Sequence, residues 1–321
     1  MTSSPVQPAA LVPPIDRSTV WAAICTYRPD DRFREVLRRT VAALPRVIVV
    51  DDGSDPLRQD WIRGQVGQVR NLADTGTPIC VDLLVHDNNR GIAAALNTAG
   101  RAAAQHGAQW MFCLDQDSLV PMDVLEQLAT AMAQYPDPAR VKLIGCNYRD
   151  ETGQQAMPVS PGASWTDVPA VISSGSLVEL ATWRASGGFD ESFIIDEVDH
   201  EYCLRLRSLG YRVVMATGVV LEHRLGQQER YRLGPWTFSM THHPPLRRYY
   251  MTRNRLLIAR RYLRTEPRWV LRSLVQWLAV MALVPFLERN GFLKLRAMFR
   301  GAWDGVCGRR GRAPVHMESK S

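Results

Sequence analysis

The first half of the chain alternates short apolar runs with longer segments of helical pattern. Residues 20–25 (VWAAIC), 46–51 (RVIVVD), 81–86 (VDLLVH), 109–114 (QWMFCL) and 141–146 (VKLIGC) are near-continuous apolar stretches of strand length, the pattern of strands buried on both faces. Between them, residues 31–44, 56–71, 92–106 and 122–134 have the composition and length of helices. Strand–helix alternation of this kind predicts an α/β fold, a mostly parallel sheet with flanking helices. After about residue 160 the pattern changes. Residues 173–193 read as a Gly-rich loop, a short helix and a turn. Residues 196–210 (DEVDHEYCLRLRSLG) read as a helix with carboxylates in its first turn and Gly210 at its end. A strand pair, 211–216 and 218–223, closes the body at His223.

In a parallel α/β sheet, ligands bind beyond the carboxyl ends of the strands. That rule gathers the polar residues into one crevice. Thr26 and Tyr27 follow the first strand, Asp51-Asp52-Gly53-Ser54 the second, Asp87 to Gly91 the third, and Asp115-Gln116-Asp117-Ser118 the fourth. Neither a G-x-G-x-x-G nor a P-loop signature occurs, so no dinucleotide or Walker-type site is supported. Asp115 and Asp117 are one residue apart, and an extended chain puts both on the same face. Two ionised carboxylates so placed repel each other, and a hard divalent cation between them removes the conflict. The plainer alternative is a solvated turn.

Composition and charge change the picture in two ways. Six cysteines are scattered without a C-x-x-C pair, several inside apolar runs, which fits buried thiols in a reducing cytoplasm better than disulfides or zinc. The net charge of +7 hides a split: residues 1–223 hold 19 Lys and Arg against 27 Asp and Glu, residues 224–321 hold 20 against 5. An acidic body with a basic tail points to an anionic partner, nucleic acid or an acidic membrane surface. The tail interleaves Arg with Tyr, Trp and Leu. Its longest clean apolar run, 277–287, falls short of a bilayer span, and Arg272, Gln276 and Pro285 interrupt the wider window. Helices lying in a bilayer interface suit that pattern. No nucleic-acid-binding module is recognisable, so no nucleic acid is expected. Residues 1–18, rich in proline and lacking a basic start, read as a disordered leader; residues 19–225 are expected to form the ligand-binding α/β body and 226–321 a basic helical, membrane-associating region.

Six motifs occur in order along the chain: CTYRPD, VVDDGS, NNRGIAAALNTA, LDQDS, GGFDESFIIDEVDHEYCLRLRSLGY and LEHRLGQ. Together they resemble the inverting glycosyltransferases of family 2, with a GT-A fold, and within them the bacterial rhamnosyltransferases of polysaccharide assembly. The resemblance runs from about residue 20 to the C-terminal segment. It implies that Thr26 and Tyr27 line the nucleotide, and that Asp51, or Asp52 beside it, accepts a hydrogen bond from the pyrimidine imide. It implies that Asn89, Arg90 and Gly91 form the turn beside the nucleotide, with the helix N-terminus behind Gly91 favouring phosphate. Asp115 and Asp117 would bind Mg²⁺ or Mn²⁺ against the sugar-nucleotide diphosphate, with His223 completing the coordination. In the acidic motif Asp199 falls on the general base, with Glu201 a second catalytic acid; Asp196 and Glu197 read as a capped helix start. Val198 stands where many relatives have Glu. Gly187 to Asp190 would lie beside the acceptor, and Trp183 either stacks on a sugar or sits in the core. Arg253 and Asn254 resemble a family motif without an assigned role.

The implied reaction is transfer of L-rhamnose from dTDP-L-rhamnose to a glycan, or lipid-linked glycan, of the cell envelope. The enzyme would be cytoplasmic and peripheral on the inner face of the plasma membrane. Another dTDP- or UDP-sugar such as UDP-galactofuranose is an alternative donor. A non-catalytic protein binding a sugar nucleotide or a membrane is the competing class.

Overall fold

The computed structural model describes residues 12–71, 78–149, 153, 155, 164–222, 228–233 and 236–314. The elements are strands β1 (Val20–Thr26), β2 (Arg46–Asp51), β3 (Cys80–Val85), β4 (Trp110–Asp115), β5 (Val141–Arg149), β6 (Trp165–Asp167), β7 (Ser176–Glu179) and β8 (Arg212–Glu222), and a hairpin of β9 (Gln228–Leu233) and β10 (Trp236–Thr241). The helices are α1 (Arg32–Ala43), α2 (Pro56–Arg70), α3 (Ile92–Gln105), α4 (Val124–Gln134), α5 (Leu180–Ala185), α6 (Val198–Ser208), α7 (Pro245–Tyr262), α8 (Pro267–Leu287) and α9 (Gly291–Val306).

The main sheet runs β3-β2-β1-β4-β7-β5-β8-β6. β3, β2, β1 and β4 are parallel neighbours, and β7 joins β4 and β5 in antiparallel sense. Alternate residues of β1 serve two cores, as period-2 geometry requires. Val20, Ala22 and Ile24 pack with Phe33, Val36 and Leu37 of α1; Trp21, Ala23 and Cys25 pack with α3, α6 and α7.

Three expectations change. The segment 173–179, expected as a loop, ends in β7, because the apolar Leu177 and Val178 complete the sheet between β4 and β5. The expected strand pair before His223 is one strand, β8. Its register against β5 jumps from Cys146↔Ala216 to Asn147↔Val220, so the polar Thr217-Gly218 step is a bulge and not a turn. Residues 12–18 of the expected leader lie against the body: Val12 and Ile15 pack on the core, and the Trp110 indole N–H donates to the Pro13 carbonyl at 3.2 Å. Residues 1–11 lie outside the described residues.

The basic tail folds back onto the body. Leu257, Ile258 and Tyr262 of α7 and Val270 of α8 belong to the α6-side core, and α9 packs along α7. α8 continues unbroken through Arg272, Gln276 and Pro285 for 21 residues, long and apolar enough by length and composition to cross a bilayer, with only 17% of its apolar window buried. The expectation that this stretch falls short of a bilayer span is therefore corrected.

Candidate active site

The polar ends of β1, β2 and β4 are brought side by side by strand register, with Thr26 opposite Asp51 and Cys25 opposite Asp115. Gln116 stitches two of them together. Its side-chain oxygen accepts from the Thr26 hydroxyl at 2.7 Å and from the Tyr27 amide at 2.9 Å. The middle residue of the D-x-D is thus a fastener between β1 and β4, a role its sequence position alone does not signal. Thr26 is buried by this bond, while the Tyr27 ring is exposed beneath the Arg28 guanidinium.

Asp51 is fully buried. Its carboxylate accepts from the Ser54 hydroxyl at 2.5 Å and the Ser54 amide at 3.2 Å. Burial pushes its pKa up, and the Ser54 bonds partly offset this. Asp52 proves to be structural. One oxygen accepts from His86 Nδ1 at 2.7 Å and the Arg90 amide at 2.8 Å, the other from the Gly91 amide at 2.7 Å. It binds the loop that carries Asn89, Arg90 and Gly91, and both of its oxygens are spent there. Gly91 also differs from expectation. It sits at φ +94°, and a Cβ there would lie 2.3 Å from the Ile194 carbonyl oxygen, which accepts from the Ile92 amide at 2.9 Å. The close approach seen at Gly91 is therefore to the chain's own loop: the Gly91 amide faces Asp52, and the first amide of α3, that of Ile92, faces Ile194. Asn89 is half-buried in the same turn, and Arg90 reaches across it to Glu191 at 3.1 Å.

Asp115 and Asp117 sit on a braced turn. The Asp115 amide donates to Ser174 Oγ at 3.1 Å, Ser174 Oγ donates to Ser118 Oγ at 2.7 Å, and Arg32 Nε donates to the Asp117 carbonyl at 2.8 Å. Burial, followed by the nearby Asp117 and Asp199 charges, pushes the Asp115 carboxyl up to about 7, with Arg247 opposing. The three aspartates and Arg247 thus share one field. The end of β8 runs alongside, where Leu119 and Glu222 exchange backbone bonds at 3.0 and 3.2 Å. His223 lies outside the described residues.

The acidic motif resolves by partner. Asp196 takes a forked pair from Arg247, with contacts of 3.0 to 3.2 Å. Glu197, almost fully buried, accepts from both Arg255 Nη2 at 2.6 Å and His200 Nδ1 at 2.8 Å. Burial alone would raise its pKa, but those cations hold it down to about 2. Glu201 is completely buried and accepts from Arg205, Arg261 and the Tyr262 hydroxyl, each at 2.8 Å. Enclosed by two guanidiniums and a phenol, it joins α6 to α7, surroundings that differ from those expected of a catalytic acid and match those of a structural ion pair. Asp199 is the exception. It is half-buried, and among the described residues its oxygens accept only from the Ser173 and His200 amides, at 3.2 and 2.8 Å, and its one ion pair is with His200 at 3.9 Å.

Arg253 and Asn254 now have a place. Asn254 is fully buried, and its amide nitrogen donates to the carbonyls of Phe193, Ile195 and Asp196 at 2.9 to 3.0 Å. Arg253 donates to the Ser192 and Gly311 carbonyls. The loop they hold contains Ile194, Asp196 and Glu197 at φ 62 to 64°, a left-handed conformation costly for these residues. Trp183 is a core residue, 5% exposed, its indole N–H donating to Asn97 at 3.3 Å.

Residues 21–166 match the family model of Glycosyl transferase family 2. Over 309 residues the chain is 26% identical to the dTDP-rhamnosyl transferase RfbF of Shigella flexneri, covering 91% of this chain and 96% of that one. Among solved structures, S. aureus TarS 1-349 superposes with a TM-score of 0.54 at 12% identity, covering 90% of this chain and 81% of that one. GalNAc-T7, solved with UDP, GalNAc and Mn²⁺, gives 0.52 at 13% identity; 75% of this chain is covered, spanning 47% of that chain. At these identities the two structures speak for the fold, which they share. Residues 21–166 thus carry a domain that matches Glycosyl transferase family 2, within a chain that shares its fold with TarS 1-349 and is similar over most of its length to a dTDP-rhamnosyl transferase.

Proposed function

We propose that the protein transfers L-rhamnose from dTDP-L-rhamnose, with inversion, to a hydroxyl of a lipid-linked glycan, working at the cytoplasmic face of the plasma membrane. The near-full-length similarity to a dTDP-rhamnosyl transferase supports the donor. The observation that carries the mechanism is that Asp199, alone among the acids of its motif, has no arginine partner among the described residues. A general base must be free to take the acceptor proton, and Asp199 is poised to do so. Ser173 fixes one of its oxygens and leaves lone pairs for the acceptor hydroxyl. Asp51 and the Gln116-bound Thr26–Tyr27 edge would seat the base and sugar of the nucleotide.

Asp115 and Asp117 fit a Mg²⁺ or Mn²⁺ ion, because like charges crowd them in a partly buried turn. Among the described residues no three His, Cys, Asp or Glu side chains come close enough to hold an ion alone, so donor diphosphate oxygens and water would supply further ligands. When bound, such an ion neutralises charge growing on the leaving diphosphate. The exposed apolar face of α8 and α9, with arginines beside it, supports placement at a bilayer surface.

The test is turnover with a panel of sugar nucleotides, membrane lipid extract and either divalent metal or chelator, the product read by mass. A deoxyhexose increment from dTDP-L-rhamnose alone, lost with chelator, is expected. Turnover only with UDP-galactofuranose or another donor would overturn the donor reading, and activity unchanged by chelator would overturn the metal.

A further inference from the structure

Further along α3 from the donor crevice lies a cleft of about 680 Å³ lined by residues of α3, α5, α6, α7 and the chain near residue 310. Arg101, Arg184, Arg205, Arg261 and Arg310 line it. Arg261 and Arg310 continue into a neighbouring cleft of about 600 Å³ that Arg260 also lines. Six arginines thus face two carboxylates, Asp190 and Glu191, with Glu201 buried behind Arg205 and Arg261. Two pairs at the mouth are loose, Arg310 to Asp190 at 3.6 Å and Arg101 to Glu191 at 4.0 Å, with both guanidiniums more than half exposed; Glu191 pairs more closely with Arg90, at 3.1 Å. A concave surface with this excess of guanidinium charge suits a compact polyanion, which planar forks bind through paired oxygens.

Two neighbours of the cleft bear on what carries that anion. On α9, Phe299, Trp303 and Val306 are 57 to 64% exposed and share one helix face, which ends at Cys307 and Gly308 in the wall of the second cleft. At the other side, residues 187–191 line the first cleft and lead through the loop held by Asn254 to Asp199. An apolar track, a basic cleft and the base helix therefore follow one another along the surface. The first turn of α3 sits at the donor crevice, and Arg101 lies nine residues further on, about 13 Å at 1.5 Å per residue. The Arg101 end of the cleft is thus set apart from the donor site, while its Glu191 end adjoins the donor-side turn through Arg90.

We infer that this cleft binds the diphosphate of a lipid-borne acceptor, with the lipid lying along the exposed face of α9 and the glycan reaching the loop before Asp199. A diphosphate concentrates its charge in a group that fits a cleft, whereas bilayer phospholipid would favour a flat basic face. The inference rests on the reading of the acceptor as a lipid-linked glycan.

The experiment is co-sedimentation of the full chain with phosphatidylcholine vesicles, plain, doped with a polyisoprenyl diphosphate, or doped to equal charge with phosphatidylglycerol. Wild type and the Arg184→Gln/Arg310→Gln double variant are compared, with dTDP affinity measured on both as a check of the donor side. Both arginines are exposed and outside the catalytic crevice. The expected result is at least about tenfold preference of wild type for diphosphate vesicles, lost in the variant while dTDP affinity is unchanged. Inorganic pyrophosphate should compete. Equal binding to plain and diphosphate vesicles, or a variant that keeps the preference, would overturn the site. Preference for phosphatidylglycerol with the same arginine dependence would overturn the diphosphate assignment in favour of a bilayer headgroup. None of these readouts needs sugar transfer, so a failed donor reading leaves the result intact.

Discussion

Within the motif Asp196-Glu197-Val198-Asp199-His200-Glu201, four carboxylates lie in six residues, and only their partners distinguish them. Arginines from α7 take Asp196, Glu197 and Glu201. A carboxylate enclosed by guanidinium is a weak base, because taking a proton forfeits the ion pair. Asp199→Asn should therefore lower kcat by about 10²–10⁴-fold with dTDP affinity unchanged. Glu201→Gln should instead cost stability, since it leaves Arg205 and Arg261 sharing a neutral acceptor; a drop in Tm with a much smaller loss of kcat is the expected result. Should Glu201→Gln be inactive at full stability, the two assignments would have to be exchanged. At this scale the sequence was informative about which residues gather and poor about which of them are spent. The D-x-D and Asp51 are visible as polar endings of apolar runs, and Asp199 as one of the acids in the first turn of a helix. That Asp52 serves its own loop, or that Gln116 bolts β1 to β4, depends on partners 38 and 90 residues away, respectively, along the chain.

The loop from Ser192 to Glu197 and the helix α6 it feeds act as one element, held from outside by α7. Three residues there adopt left-handed backbone angles that their side chains disfavour, so something must over-determine them. Asn254 does so by bridging three carbonyls. Asn254→Ala should cost about 1–3 kcal/mol of stability from unsatisfied buried carbonyls. It should also lower kcat more than it raises the KM for donor, because the displaced loop carries Asp199 and not the nucleotide. A kcat that stays at the wild-type level would show that the loop holds its shape alone. The same element carries a pH signature. Burial disfavours the His200 cation, but the Asp199 and Glu197 charges outweigh it and raise its pKa to about 9 from 6.5. The folded protein thus binds more protons than the unfolded chain between those values, and the His200 contribution is full below pH 6.5 and lost as pH rises through 9. Glu197 works in the other direction: held at about 2 against 4.5, it contributes above pH 4.5 and loses that contribution as pH falls through 2. Thermal stability should therefore decline from pH 6.5 to 9.5, and His200→Gln should flatten that decline. An equal slope in the variant would assign the decline to other groups.

For the whole molecule, the charge split between body and tail has a partly internal explanation. The acidic motif of the body and the arginines of α7 pair across the join, and Glu266 returns the exchange by taking a forked pair from Arg207. Charge totals could show the asymmetry but not that it is partly neutralised in place, because pairing of residues 50 to 60 positions apart is a tertiary property. Strand–helix alternation made the parallel half legible, since its elements are continuous and periodic. β7 and the β8 bulge were not, being short or interrupted and stabilised only by sheet neighbours. α9 is bound to α7 just as closely: a Cβ on Gly301 would lie 2.5 Å from the Tyr249 carbonyl, and buried Asp304 accepts from the Tyr249 hydroxyl at 2.9 Å. Buried Glu288 links Arg248 of α7 to Lys294 of α9. A tail that only associates with membrane could be cut away without harm to the body. Truncation after Glu266 should instead strip α7 of these partners and leave Arg248, Tyr249 and Arg253 facing water or apolar surface. The loop held by Arg253 and Asn254 should then loosen, because both side chains lie on α7. The expected outcome is a Tm lower by roughly 10 °C or more, or an insoluble product, as follows from the loss of several kcal/mol in a domain of this size. If the truncated chain melts with wild-type Tm and binds dTDP as well as the full chain, the tail is an appendage and the internal explanation of the charge split fails.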